Sequence, residues 1–408
     1  MIMYLKLAWR NIWRNKRRTL ITVSSIMFAV VCALFIESLE RGAHNQLIDN
    51  MTNFHTGHIQ IQDTRYEDEP SLDNSFVYSE DFKERIMEID ERISNVVPRI
   101  ETFMLAAGEE QSRAAMVLGI DAEAEHRLNE LKNRIVEGRF FEPGEGTVVL
   151  GEGLASRLNV AIGDSLVLLG QGRFGMTASG IYEIGGLFRH PMRDFNNQII
   201  YLSIPDAQWL FSMDEMVSNI LITPDALSSN QQIANNLRAE FEEGHLNILT
   251  WEEMIPELID ALEFDRLQTR VFMGILYVVI GFGIFGTILT MTLERLREFG
   301  ILLSVGMYRW KLAVVVFIET FIISVLGIIS GFGLGIVILG YFYINPITLT
   351  GDMAELLDEM GFEPFMPMAI APDIFIWQGS VIFLITTIIC FYPSLKIATL
   401  NILKASRS

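Results

Sequence analysis

Four long stretches almost free of charge constrain this 408-residue chain more than any other feature. Residues 19–36 and 271–293 carry no charged side chain, nor do residues 374–395. Between 312 and 351 the only one is Glu319. A helix needs roughly 20 apolar residues to cross a hydrocarbon core of ~30 Å. The pattern predicts transmembrane helices over 19–40, 269–293, 312–344 and 374–395. The third run is too long for a straight span and predicts an interfacial end near Asn345-Pro346.

Lys and Arg near helix ends set orientation. Lys6, Arg10, Arg14, Lys16, Arg17 and Arg18 precede the first span with no acid among them. Arg295, Arg297, Arg309 and Lys311 follow the second, and Lys396, Lys404 and Arg407 follow the fourth. The third connection has only acids: Asp352, Glu355, Asp358, Glu359, Glu363 and Asp373. The expected order is therefore a cytoplasmic N-terminal segment (1–18), a large external segment (41–268), a cytoplasmic loop (294–311), a short external loop (345–373) and a cytoplasmic tail (396–408), in an inner, plasma-type membrane. Residues 41–270 hold 18 basic and 39 acidic side chains, a net of −21 against −19 for the whole chain, so the acidity lies outside. An acidic chain of this kind does not bind nucleic acid. The first span reads as an uncleaved anchor, since no small-residue cleavage site follows it. Before it, Leu5, Ala8, Trp9, Ile12 and Trp13 form one stripe opposite Lys and Arg, an interfacial helix whose basic face meets either anionic lipid or water.

The external segment mixes short β-prone runs with helical ones. HIQIQ (58–62), 148–150, 165–169, 198–202 and 218–223 read as strands; 80–93, 152–158, 204–212 and 227–243 read as helices. The fold class is an α+β integral membrane protein with this large domain between helices 1 and 2. Residues 37–54 and 251–268 suggest helical stalks joining domain and membrane.

Sequence motifs for chemistry are few. No P-loop occurs, so this chain does not bind ATP in that way. GFGIFG (281–286) matches G-x-G-x-x-G but sits inside an apolar span with no strand before it. Those glycines, with Gly327, Gly331, Gly333, Gly335 and Gly340, suit close helix packing. His55 and His58 fall on opposite faces of a strand-like run, so no metal site is expected. Cys32 and Cys390 read as buried apolar thiols. Glu319 is an intramembrane carboxylate, either structurally paired or a mechanistic hinge or relay. Phe272, Met273, Phe282, Phe285 and Met291 offer an apolar shelter or are ordinary membrane-helix residues.

The most informative segment is TLERLREFGILLSVGMYRWKL (292–312). It reads as a short amphipathic helix with Leu296, Gly300 and Leu303 on one face, broken at Gly306. This is a grip for an ATPase or a plain positive-inside loop. LERLREFGILLSVGMYRW resembles the E-R-x-R-E-[IF]-G-I-L-x-x-x-G signature of FtsX-like ABC permeases of the MacB and LolC/LolE type. LAWRNIWRNKRRTLIT resembles that family's start, and YPSLKIATLNILKASR (392–407) its end. VEGRFFEPGEGTVVLGEGLASRLNVAIGDSLVL (136–168) resembles its extracytoplasmic pattern. TGHIQIQ and TWEEMIPEL are closer to the lipoprotein-release branch. Ile402 replaces the usual proline, and Leu302-Leu303-Ser304 replaces the commoner L-R-A.

The resemblance implies a four-helix permease whose external domain has a ferredoxin-like porter part and a β-rich part. It implies pairing with a second permease chain, identical or related, and with an ATPase dimer that carries the ATP and Mg; this chain itself holds no cofactor and is not an enzyme. Glu294, Arg297, Glu298, Gly300, Ile301 and Gly306 occupy the family's ATPase-coupling positions. Residues 169–179 occupy the place of a hairpin that holds a periplasmic carrier, so Phe174 and Met176 are expected to be exposed. The implied function is lipoprotein release from the membrane. Alternatives are export of peptides or macrolide-like compounds from the periplasm and FtsX-like regulation of a cell-wall hydrolase.

Overall fold

A computed structural model describes residues 2–14, 16–226, 229–242, 244–351, 354 and 365–398. The expectations for the acidic loop at Asp352, Glu355, Asp358, Glu359 and Glu363, and for Lys404 and Arg407, lie outside the described residues. In chain order the helices are α1 (Ile2–Arg14) and α2 (Lys16–Met51), the latter running on through a π-helical turn, Thr52–Thr56. Then follow β1 (Ile59–Asp63), β2 (Phe76–Val77), α3 (Glu80–Ile89), β3 (Ile93–Ala107), β4 (Ser112–Ile120) and α4 (Ala122–Asn129). The middle of the chain gives β5 (Ile135–Gly138), β6 (Thr147–Gly151), α5 (Glu152–Leu158), β7 (Ser165–Gln171), β8 (Thr177–Phe188) and α6 (Arg193–Asn196). Next are β9 (Ile199–Ser203), α7 (Ile204–Phe211), β10 (Met216–Val217), β11 (Asn219–Pro224), α8 (Asn230–Glu240), β12 (Leu246–Thr250) and α9 (Trp251–Met254). The chain ends with α10 (Pro256–Glu294), α11 (Leu296–Ser304), α12 (Arg309–Ile344) and α13 (Pro372–Ala398).

These elements fall into two units. The helical unit comprises residues 1–45, 261–348 and 366–408. Among the described residues, four helices are long and apolar enough to cross a membrane: Lys16–Thr56, Pro256–Glu294, Arg309–Ile344 and Pro372–Ile397. Their cohesion comes from small residues, because lipid tails are as apolar as leucine and burial alone gives helices no reason to associate there. Gly327, Gly331 and Gly335 line one face of α12. A Cβ on them would meet Ile26, Val30 and Leu34 of α2 at 2.6, 2.6 and 2.8 Å. Both rows have a four-residue period, so the helices mesh along two turns. Gly283, Gly286, Gly333 and Gly340 have nothing within 4 Å of a built Cβ; in this chain they are not packing sites, contrary to expectation. The aromatic and Met set on α10 is also divided. Met273 and Met291 are buried, whereas Phe272 and Phe282 are exposed.

The sheet unit comprises residues 46–260 and 349–365. Its main sheet has the order β12-β1-β11-β3-β4-β9-β6-β8-β5, with β7 joining β3 to β8. The first four strands are all antiparallel. With α3 and α8 they form a β-α-β-β-α-β unit, the ferredoxin-like pattern. Everything from β4 to β10 is inserted between its second and third strands. The strand that carries both halves is β3, fifteen residues long. Its first part pairs with β11 and its second with β4 and β7. The predicted helix 80–93 stops at Ile89 because the chain enters β3 at Ile93. HIQIQ is a strand, but its alternation does not mark a wet face. β1 is central, and Gln60 and Gln62 are buried and bonded to each other at 3.1 Å.

Burial leaves three histidines of this unit neutral. His190 sits among Phe54, Phe188 and Phe195, with ring centroids 4.7, 6.2 and 5.2 Å away. Desolvation pushes its imidazole down to about 3 and lowers His55 and His58 as well. The unfolded chain takes up these protons near pH 6.5. The unfolded state therefore binds more protons, and stability falls as pH drops below about 6.5, for His190 by about 1.4 kcal/mol per unit, with His55 and His58 adding in the same direction. For His190 the loss continues to about pH 3. His190→Phe is expected to flatten the decline in urea midpoint between pH 7.5 and 5. An unchanged acid sensitivity in that variant contradicts the assignment.

Candidate functional site

The loop between α10 and α12 is built by one buried and one exposed face. Phe299 and Leu303 of α11 pack with Leu312 and Val316 of α12 and Ile397 of α13. Gly300 is buried on the same side. Ile301, Leu302, Val305, Tyr308 and Trp310 are exposed, Val305 at 83%. Gly306 ends the helix at φ +100°, a conformation open to glycine. The result is an apolar patch set on a helix held from behind.

The holding is electrostatic as well as apolar. Arg295 is buried and ion-paired with Glu319 of α12. Glu319 also accepts from Asn11 Nδ2 of α1 at 3.4 Å. Arg295 Nε lies 3.5 Å from Glu298 Oε2, and its guanidinium stands 5.5 Å from the Phe299 ring centre. Outside this centre, Arg14 meets Glu298 at 2.6 Å and Arg18 meets Glu294 at 2.7 Å. Those two pairs are solvent-exposed and contribute about 0–1 kcal/mol each. The buried pair is different: removing one member strands a charge in an apolar setting. Thus α1, α11 and α12 meet at one ionic node. Of the expected coupling residues, Glu294, Arg297, Glu298, Ile301 and Gly306 are exposed and Gly300 is buried. Arg295 was missed as a node residue. Its partner is 24 positions away, and only the helix crossing brings it close.

A second feature lies in the sheet unit. β7 and β8 form a hairpin whose tip closes with Gly172 N–H donating to Met176 O at 2.7 Å. Phe174 is 72% exposed and Met176 54%. Phe174 has φ 53°, rare for a bulky side chain. Arg173 stacks on it at 4.5 Å, and the Phe174 backbone N–H donates to Asp73 Oδ1 at 2.5 Å. The adjoining outer sheet face is apolar. Leu105 of β3 pairs with Leu169 of β7, and Val167 with Ile181 of β8; all four, with Phe103, are exposed.

A third centre was not foreseen. Arg99 of β3 is 1% exposed, and Glu125 of α4 is 0%. Arg99 Nε and Nη2 donate to the two Glu125 oxygens at 3.0 and 2.5 Å. Its Nη1 donates to the carbonyls of Phe54 and His55, at 3.2 and 3.0 Å, inside the π turn after α2. Asn129 Nδ2 completes the set on Glu125 at 2.5 Å. An arginine in a β-prone run gives no sign of this role in the sequence.

Four helices long and apolar enough to cross a membrane, with a ferredoxin-like domain inserted in the chain after the first, define a multi-helix membrane protein. Residues 19–240 match the MacB-like periplasmic core domain family, and residues 270–402 match the FtsX-like permease C-terminal family. The chain belongs to this family: it is an ABC transporter permease of the FtsX/MacB/LolC type, a membrane protein with a periplasmic domain. It is similar to the lipoprotein-releasing system transmembrane protein LolC of Xylella fastidiosa, 22% identical over 256 residues, which are 61% of each chain. The match thus spans about three fifths of that relative's length. LolC of Buchnera aphidicola is 21% identical over 403 residues, 96% of this chain and 95% of that one. Among solved structures, the periplasmic region of MacB from Actinobacillus actinomycetemcomitans aligns at 13% identity with a TM-score of 0.37, covering 53% of this chain and 98% of that one.

Proposed function

We propose that this chain is the non-catalytic permease subunit of a mechanotransmitting ABC transporter that releases lipoproteins from the inner membrane. The observation that carries the reading is α11: an apolar face of Ile301, Leu302 and Val305 turned outward, fixed from behind by the Arg295–Glu319 pair. A partner ATPase dimer, holding the ATP and Mg, grips that face. Glu294, Arg297, Glu298, Gly300, Ile301 and Gly306 shape the grip. A second permease chain, identical or related, completes the assembly. The loop, with the N- and C-terminal segments, faces the cytoplasm, and the sheet domain faces the periplasm.

The substrate reading draws on the relatives named as lipoprotein-releasing proteins and on the physics of extraction. Withdrawing one acyl chain of about sixteen carbons into water costs on the order of 12 kcal/mol. Such a step needs an energised machine and apolar surfaces. Phe174, Met176 and the Phe103–Leu105–Val167–Leu169–Ile181 sheet face provide one. The deciding experiment purifies the chain with its copurifying ATPase and measures ATP hydrolysis. Stimulation by triacylated peptide and none by macrolides is expected; the reverse favours export of peptides or macrolide-like compounds. Replacing Phe174 and Met176 together with Ser is expected to weaken binding of a periplasmic carrier at least about tenfold, a loss of about 1.4 kcal/mol or more, with folding unchanged. Undiminished binding removes the hairpin from the account.

A further inference from the structure

The helical unit holds a group of ionisable side chains that the coupling reading leaves unused. Glu40 and His44 are four residues apart on α2 and so share a helix face. Asp265 of α10 reaches the same point. His44 Nε2 lies 2.7 Å from Asp265 Oδ2, and ligand atoms of all three residues fall within 4.8 Å of one another. His44 is 7% exposed, while Asp265 is exposed and Glu40 intermediate. A cleft of about 740 Å³ opens beside them, with Glu37, Arg41, Arg266, Thr269 and Arg270 on its wall, so two further arginines stand near the carboxylates. Arg41 is already paired, with Asp373.

We propose that Glu40, His44 and Asp265 form a zinc site that clasps α2 to α10. The charges favour it. A neutral imidazole leaves two carboxylates facing each other, an imidazolium offsets one of them, and a divalent cation offsets both. The donor set favours zinc, which takes His nitrogen and carboxylate oxygen together. Three protein ligands leave the fourth tetrahedral position to a water, which the cleft can supply. Zinc bonds of about 2.0–2.2 Å bring neighbouring ligand atoms to roughly 3.3 Å. The ligand atoms stand within 4.8 Å of one another, so zinc would draw Glu40 inward and part His44 Nε2 and Asp265 Oδ2, now 2.7 Å apart, by about half an ångström. No sequence spacing announces the site: two ligands form an i,i+4 pair, but the third is 221 residues from His44. Since α2 leads into β1 and α10 follows β12, a bound zinc would fix the spacing of the two helices that flank the sheet domain in the chain.

The test uses the full chain in detergent, stripped of metal and titrated with zinc chloride against a chromophoric chelator. It needs neither ATP nor a partner, so it stands or falls apart from the transport reading. One zinc per chain is expected. His44→Ala, Glu40→Gln and Asp265→Asn should each weaken binding at least about tenfold, and Glu37→Gln should leave it unchanged. Spin labels on α2 and α10 should show a narrower distance distribution with zinc than without. If His44→Ala does not fold, Glu40→Gln and Asp265→Asn read the same site through its oxygens. No saturable binding at micromolar zinc, or the same affinity in all three variants (an adventitious ion only), overturns the proposal.

Discussion

Arg99→Met is expected to destabilise the sheet domain by about 3–5 kcal/mol, because it leaves Glu125 buried without its counter-charge. That is a large share of the 5–15 kcal/mol that typically holds a domain together. The pair variant Arg99→Met/Glu125→Leu is expected to recover part of the loss, since buried ion pairs can be exchanged for apolar pairs at little cost. Recovery stays incomplete, as the carbonyls of Phe54 and His55 lose their donor and each unmet buried group costs about 1–3 kcal/mol. Urea unfolding of the full chain, with Trp251 kept as its single tryptophan and the other five replaced by Phe, measures both variants. A single-variant loss under about 1 kcal/mol would mean that Arg99 is solvated in a way its burial denies. The double variant also probes transmission. Arg99 ties the π turn after α2 to β3 and α4, so under the proposed transporter role a folded domain without that tie should support ATP hydrolysis by the partner while releasing little substrate.

The second large effect is expected at the ionic node of the helical unit. Glu319→Leu takes away the buried counter-charge of Arg295 and leaves it only the half-exposed Glu298, 3.5 Å from its Nε, a penalty of up to about 3–5 kcal/mol. The cheapest relief is for α11 to leave its seat, because Arg295 then reaches water. Phe299, 2% exposed in the folded protein, would surface with it. A Phe299→Cys reporter should therefore react slowly with maleimide alone and much faster when combined with Glu319→Leu. Each 1.4 kcal/mol of lost docking raises the open population about tenfold. Arg295→Met/Glu319→Leu should return labelling toward the slow rate. Labelling unchanged by Glu319→Leu would sink the role given to the pair, and the exposed pairs Arg14–Glu298 and Arg18–Glu294 would then have to hold the helix.

Much of the architecture was legible because the bilayer is a severe reader of sequence. A charge inside hydrocarbon is costly, so uncharged runs disclose α2, α10, α12 and α13 directly. The amphipathic run at 292–312 disclosed α11 for the same kind of reason, with Leu296, Gly300 and Leu303 on one face; the structure buries Gly300 and Leu303 and puts Phe299, with Leu296 only half-buried, in the third place. In the sheet domain short strands such as Thr147–Gly151 could be read, but β3 could not. Its fifteen residues include Pro98, Arg99 and Glu101, which weaken any local strand signal.

By itself the sequence determined how many helices are apolar enough to cross a membrane, where the large domain is inserted, and which loop has an amphipathic face, because each follows from contacts with solvent or lipid that act on consecutive residues. Only the tertiary structure decided that Arg295 meets Glu319, that Arg99 holds the end of the π turn, and that Glu40 and His44 face Asp265. The Arg295–Glu319, Arg99–Glu125 and His44–Asp265 pairings join residues 24, 26 and 221 positions apart. Their energy comes from excluding water around two specific groups, and nothing in the local spacing of either partner records it.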